Sequence, residues 1–155
     1  MRNISALSRR RAALILVCAA AALGVILLSG AMGRRSSGGI PGGTNEQRLA
    51  YIRSLGWEAG TETQEEKEVL LPGEFPEVLE NYNRLQQEAG FDLKPYAGKR
   101  LGMYVYRLED PPGGAEALCT LYVCRGRIVG GDIHSTAFRG WMRPLLPRDR
   151  ENKNG

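Results

Sequence analysis

From Ala12 to Gly33 the chain carries no charged side chain, and after Arg34 short polar and apolar stretches alternate. The 22 residues of the apolar run would rise about 33 Å as a helix, against roughly 30 Å of bilayer hydrocarbon. In lipid a backbone must satisfy its own hydrogen bonds, so a helix is the expected form. The body follows a flexible tether, Arg34 to Gly43 (RRSSGGIPGG), where Gly and Ser give freedom and Pro41 stops any helix. Thr44 to Gln47 fits a capping box, and Leu49, Ile52 and Leu55 then share a helical face, with Gly56 as a left-handed stop. Glu68 to Leu71 reads as a short extended piece ended by Pro72-Gly73. A second helix begins near Pro76, with Val78, Tyr82, Leu85 and Ala89 at helical spacing, and ends at Gly90.

Lys99 to Glu109 carries apolar groups on both faces and reads as an inner strand. Ala115 to Cys124 and Arg127 to His134 form a hairpin around Arg125-Gly126, where Gly supplies the positive φ such loops require. Gly130-Gly131 marks a bulge or a close backbone approach. The expected fold class is α+β: an antiparallel sheet of three or four strands, the C-terminal hairpin included, with two helices on one face, preceded by a single transmembrane helix. The expected layout is residues 1–11 as a cytoplasmic basic N-terminus, 12–33 as a signal anchor, 34–43 as linker, 44–142 as an extracytoplasmic domain and 143–155 as a disordered basic tail.

Charge sets the orientation. Arg2, Arg9, Arg10 and Arg11 precede the run and only Arg34 and Arg35 follow it closely, so the N-terminus is expected inside and the body outside. A secreted form cleaved near Ala31 is the alternative, since Ser29-Gly30-Ala31 would serve as a small-residue site. The apolar stretch from Ala12 to Leu28 exceeds the roughly 7–15 residues of a usual signal core. The formal charge of +4 comes from the two ends. Residues 44–138 hold ten basic and fifteen acidic side chains, so the body lacks the basic footprint of nucleic-acid binding.

Taken in order, several tracts resemble a known family. They are LGW after the first helix, the VLLP strand, EFPEVLENYNRLQQEAGFDL, KPYAGKRLGMYVYRL and the hairpin YVCRGRIVGGDI. Over roughly residues 44–142 they resemble the membrane-anchored "domain of unknown function 4830" family of Clostridia-type bacteria. The resemblance implies a Gram-positive-type cell, an N-terminal membrane segment and a small domain outside. That family has no assigned activity, so no residue role carries over. The hairpin loop departs from it in having Arg125 where an acidic residue is expected.

Candidate chemistry is sparse. An unbroken hairpin would set Cys119 opposite Asp132 and Ala117 opposite His134, putting Cys119, Asp132 and His134 on one face. Thiol, imidazole and carboxylate together can make a nucleophile, and His134 is the only histidine. A bulge at Gly130-Gly131 would break that alignment, and a buried cysteine is ordinarily a small hydrophobe. Cys119 and Cys124, five apart on one strand, point to opposite faces and are not expected to join. One histidine and two such thiols make a poor zinc site, and Glu62 to Glu68 lacks the pattern of a calcium loop, so neither metal nor cofactor is expected. Tyr82, Tyr96, Tyr104, Tyr106, Tyr122, Trp57 and Trp141 could supply an aromatic binding surface, though aromatics at such spacing usually pack inside. The leading expectation is a non-enzymatic module that binds an envelope protein or wall component, anchored through residues 12–33. The alternative is a thiol-dependent enzyme or redox sensor built on Cys119, His134 and Asp132.

Overall fold

A computed structural model describes residues 39–111 and 114–151. In chain order the elements are β1 (Ile40–Pro41), α1 (Asn45–Ser54), β2 (Glu65–Leu70), α2 (Glu77–Glu88), β3 (Arg100–Arg107), β4 (Ala117–Cys124), β5 (Arg127–Ser135), β6 (Met142–Pro144) and α3 (Arg148–Glu151). The capping box forms as the sequence requires: Thr44 accepts from the Gln47 amide while the Gln47 side chain returns to the cap backbone. Gly56 and Gly90 follow their helices at φ +80 and +82. Arg125 and Gly126 both have positive φ, 49 and 74, as a two-residue hairpin loop demands.

The expected sheet of three or four strands with both helices on one face does not form. Six antiparallel strands run in the order β1-β5-β4-β3-β2, with β6 also paired to β5. The extra strands come from the ends of the domain, where composition suggested tether and tail. Ile40 and Pro41 pair with Ile128 and Arg127; proline is tolerated there because an edge strand can spare one amide. Met142–Pro144 pairs with Asp132–His134 further along the same strand. Leu145 is buried, and the Leu146 carbonyl accepts from the Trp57 indole at 2.9 Å. The domain therefore reaches beyond the expected 44–142 at both ends.

The helices lie on opposite faces. Along β4, Ala117, Cys119, Leu121 and Val123 pack with Leu49 and Ile52 of α1 and with Trp57, Tyr106 and Ile133. Tyr122 and Cys124, pointing the other way, pack with Leu101, Val129 and the α2 residues Leu79 and Tyr82. Arg48 is buried between α1 and the sheet, with no carboxylate partner among the described residues. Its Nε donates to the Tyr106 hydroxyl at 2.7 Å, its Nη1 donates to the Gly42 carbonyl at 3.0 Å, and its guanidinium stacks 3.6 Å from the Tyr104 ring centroid. Those contacts tie β1, α1 and β3 together and compensate the desolvated charge.

One residue decides what each face carries. Cys124 pairs with Arg127 and Val123 with Ile128, but Tyr122 then pairs with Gly130, leaving Val129 as an extra residue in β5. From there Cys119 faces Ile133 and Thr120 faces Asp132. The helix α2 comes close at this bulge: the Gln86 Oε1 accepts from the Gly131 amide at 2.8 Å. A Cβ on Gly130 would lie 2.9 Å from that oxygen, and one on Gly131 would lie 2.7 Å from the Thr120 carbonyl oxygen.

Among the described residues no helix is long and apolar enough to cross a membrane. Residues 12–33, expected to do so, lie outside the described residues, as do 1–11 and 34–38. Because the obstacle at Gly131 is backbone, Gly131→Ala is expected to cost about 1–3 kcal/mol, the usual range for overpacking. Urea unfolding of the full chain in detergent measures it; an unchanged midpoint would contradict the close approach.

Candidate functional site

The three residues that an unbroken hairpin would group are separated by the bulge. Cys119 is 0 % exposed, inside the α1-side core. Burial, and after it the Asp132 carboxylate, pushes its thiol well above the ordinary cysteine value, the reverse of what a nucleophile needs. Asp132 and His134 point to the α2 side and remain together: the His134 Nδ1 lies 2.8 Å from the Asp132 Oδ1. In place of the thiol stands a phenol from α2, with the Tyr82 hydroxyl donating to the Asp132 Oδ2. Cys119 and Cys124 are both free thiols.

Asp132 is 2 % exposed, and a carboxylate so buried must be compensated. Tyr82 and His134 do this from two different elements, which pins α2 to the sheet. Burial, followed by the Asp132 charge, raises the Tyr82 phenol far above its ordinary value. Burial likewise raises Tyr122, whose ring meets that of Tyr82 edge to face at 6.2 Å between centroids. His134 is raised above 6.5, first by its hydrogen bond to Asp132 and then by that charge, with burial opposing. An imidazole held this way can move a proton, but no described hydroxyl or thiol nucleophile is bonded to it. Among the described residues no group of three or more His, Cys, Asp or Glu side chains could hold a metal.

Beside this cluster lies an apolar cleft of about 640 Å³. Val78, Leu79 and Leu85 of α2 form one wall, Pro72 and Pro76 one end, Tyr82 and Tyr122 the inner surface, and Met142 of β6 the other side. Val78 is 79 % exposed and Met142 50 %. The helical spacing of Val78, Tyr82 and Leu85 is the sequence signal for this wall, but it suggests a core stripe. The helix docks instead through Leu79, Tyr82, Asn83 and Gln86, of which the two amides are fully enclosed. Asn83 accepts from the Leu93 amide at 2.7 Å and donates to Asp92 at 2.9 Å. Two buried amides on the docking face rotate the neighbouring apolar stripe out to the cleft. A second cleft, of about 650 Å³, flanks β2 and β3 on the opposite face. Within it Arg100 meets Glu68, and Lys67 reaches out of it to Glu65, each at 2.7 Å.

Fold and site define a small α+β domain, a six-stranded antiparallel sheet with a helix on each face and an open apolar cleft beside one of them. The chain belongs to the family described as domain of unknown function (DUF4830), whose model matches residues 51–133. That match runs from within α1 to within β5 and so includes the bulge, α2 and Asp132. No curated protein and no solved structure matches the chain.

A raised imidazole contributes stability that is complete below the unfolded value of about 6.5 and is lost as pH rises through the folded value. A proton NMR titration should place the His134 midpoint above 6.5. Asp132→Asn should bring it down, and an unmoved midpoint would remove Asp132 as the cause. In a Cys18→Ser background, iodoacetamide should label half-buried Cys124 and leave buried Cys119 unmodified until urea unfolds the domain. Rapid labelling of Cys119 in the folded state would contradict its enclosure.

Proposed function

We propose that the chain is a membrane-held, extracytoplasmic, non-enzymatic module that takes an apolar segment of an envelope protein into the cleft beside α2. The observation that carries this is the cleft itself, with Val78 and Met142 exposed on its two sides. Concave apolar surface with few polar groups is the usual form of a binding site, and solvated apolar patches mark contacts with partners. Anchoring through residues 12–33 rests on the length and charge flanks of that run. The thiol reading has no such support, because Cys119 lies across the sheet from His134.

Two measurements test the proposal. Protease treatment of intact protoplasts should remove a C-terminal tag from the membrane-bound chain; a protected tag overturns the orientation. A photo-crosslinker at Val78 should join an envelope protein through an apolar segment, and Met142→Glu should reduce that product by about ten-fold or more, the worth of one buried side chain. Absence of the product, or indifference to Met142→Glu, overturns the cleft as the seat.

A further inference from the structure

The β5–β6 connection holds the most exposed of the large apolar side chains described. Phe138 is 94 % exposed, yet its turn is closely fixed. Gly140 donates to the Ala137 carbonyl at 2.8 Å, Ser135 donates to the Trp141 carbonyl at 2.9 Å, and the Ser135 Oγ accepts from the Ala137 amide at 3.1 Å. Arg139 is held at φ 59, a left-handed conformation uncommon outside glycine. The presentation of Phe138 is thus built into the backbone.

Both aromatic rings of this turn carry a guanidinium. Arg139 lies 6.0 Å from the Phe138 ring centroid and Arg143 lies 4.5 Å from that of Trp141. An aromatic body with a cationic tip suits the boundary between acyl chains and headgroups: rings settle at that depth and guanidinium groups meet phosphates. Charge points the same way. Residues 44–138 carry ten basic and fifteen acidic side chains, whereas from Arg139 onward there are five basic and two acidic ones. Arg139 stands on the turn itself, whereas Arg148 is turned to Asp110, so the attraction to an anionic bilayer is local to the turn. On the anchoring proposed above, only residues 34–38 separate the apolar run from Gly39, a reach of at most about 20 Å.

We propose that the turn from Thr136 to Arg143 is a membrane-contact element, setting Phe138 at the interface of an anionic bilayer with Arg139 on lipid phosphates and with half-buried Trp141, packed on the α1-side core, directly behind them. This rests on the anchoring reading for its geometry in the cell, but the contact itself is testable without it. A protein or a wall polyphosphate would be the other occupant of such a turn, and acyl-chain quenching separates lipid from both.

The test uses the full chain in nanodiscs of phosphatidylcholine, with or without phosphatidylglycerol, whose acyl chains are brominated near the headgroup. Trp57 is buried in the core, so quenching of tryptophan fluorescence reports Trp141, and Trp141→Phe serves as control. Quenching is expected in the anionic discs and should be largely relieved by Phe138→Ala and by Arg139→Glu, with thermal unfolding unchanged. Equal fluorescence over brominated and plain anionic discs, or quenching that survives Phe138→Ala, overturns the proposal. If the chain enters no disc, the anchoring reading fails. The turn is then tested by flotation of the same chain with preformed phosphatidylglycerol vesicles. Flotation that Phe138→Ala weakens about ten-fold upholds it; absent flotation, or flotation indifferent to Phe138, overturns it.

Discussion

The extra residue in β5 is the constraint from which the site follows. Side chains alternate along a strand, so a slip of one residue exchanges the two faces for everything beyond it. Val129 supplies that slip. Below it, Ile128 joins the α1-side core; above it, Ile133 does so, and Asp132 and His134 turn to α2. The same irregularity leaves the Gly131 amide available to Gln86. An unbulged hairpin would have sent Asp132 into the apolar core beside Cys119, where a carboxylate has no donor and its burial no compensation.

Polar docking of α2 is the second consequence, and it connects fold to function. A helix held by apolar contacts alone would spend its whole stripe on the sheet. This one is held to the sheet by Gln86 and Tyr82 through specific hydrogen bonds, while Asn83 fixes the Asp92–Leu93 segment that follows it, so Val78 and Leu85 remain to line a cleft. The buried Asp132–Tyr82 contact and the open apolar wall are therefore two results of one arrangement. Such networks fix a geometry more than they add stability. That would suit the binding role proposed for the cleft, whose shape must then persist when empty.

The sheet edges are managed differently. On one side β2 ends the sheet with Glu65, Glu66, Lys67 and Glu68, and a charged edge discourages pairing with another chain. On the other, β1 and β6 share the outer side of β5. That arrangement joins the two ends of the domain on a single strand. It also sets the aromatic turn between β5 and β6, where exposed Phe138 stands among arginines.

Much of this was legible in the residues themselves. The capping box at Thr44, the left-handed stops at Gly56 and Gly90, the inner strand β3 and the Arg125-Gly126 loop are local, because each depends on a few neighbours and on allowed φ and ψ. The family membership was legible too, since ordered tracts survive as sequence. The tertiary structure alone decided the strand count, the placement of the helices on opposite faces and the partners of Asp132. Pairing of Ile40–Pro41 and Met142–Pro144 depends on an edge that only the folded sheet provides, and glycine-rich or charged composition conceals it. The sequence flagged Gly130-Gly131 as irregular, but the sense of the slip was set by what packs above it: Gln86 and Leu93 on one side, Thr120 and Leu145 on the other. Those contacts bring together residues up to 45 positions apart, a range over which local pattern carries no information.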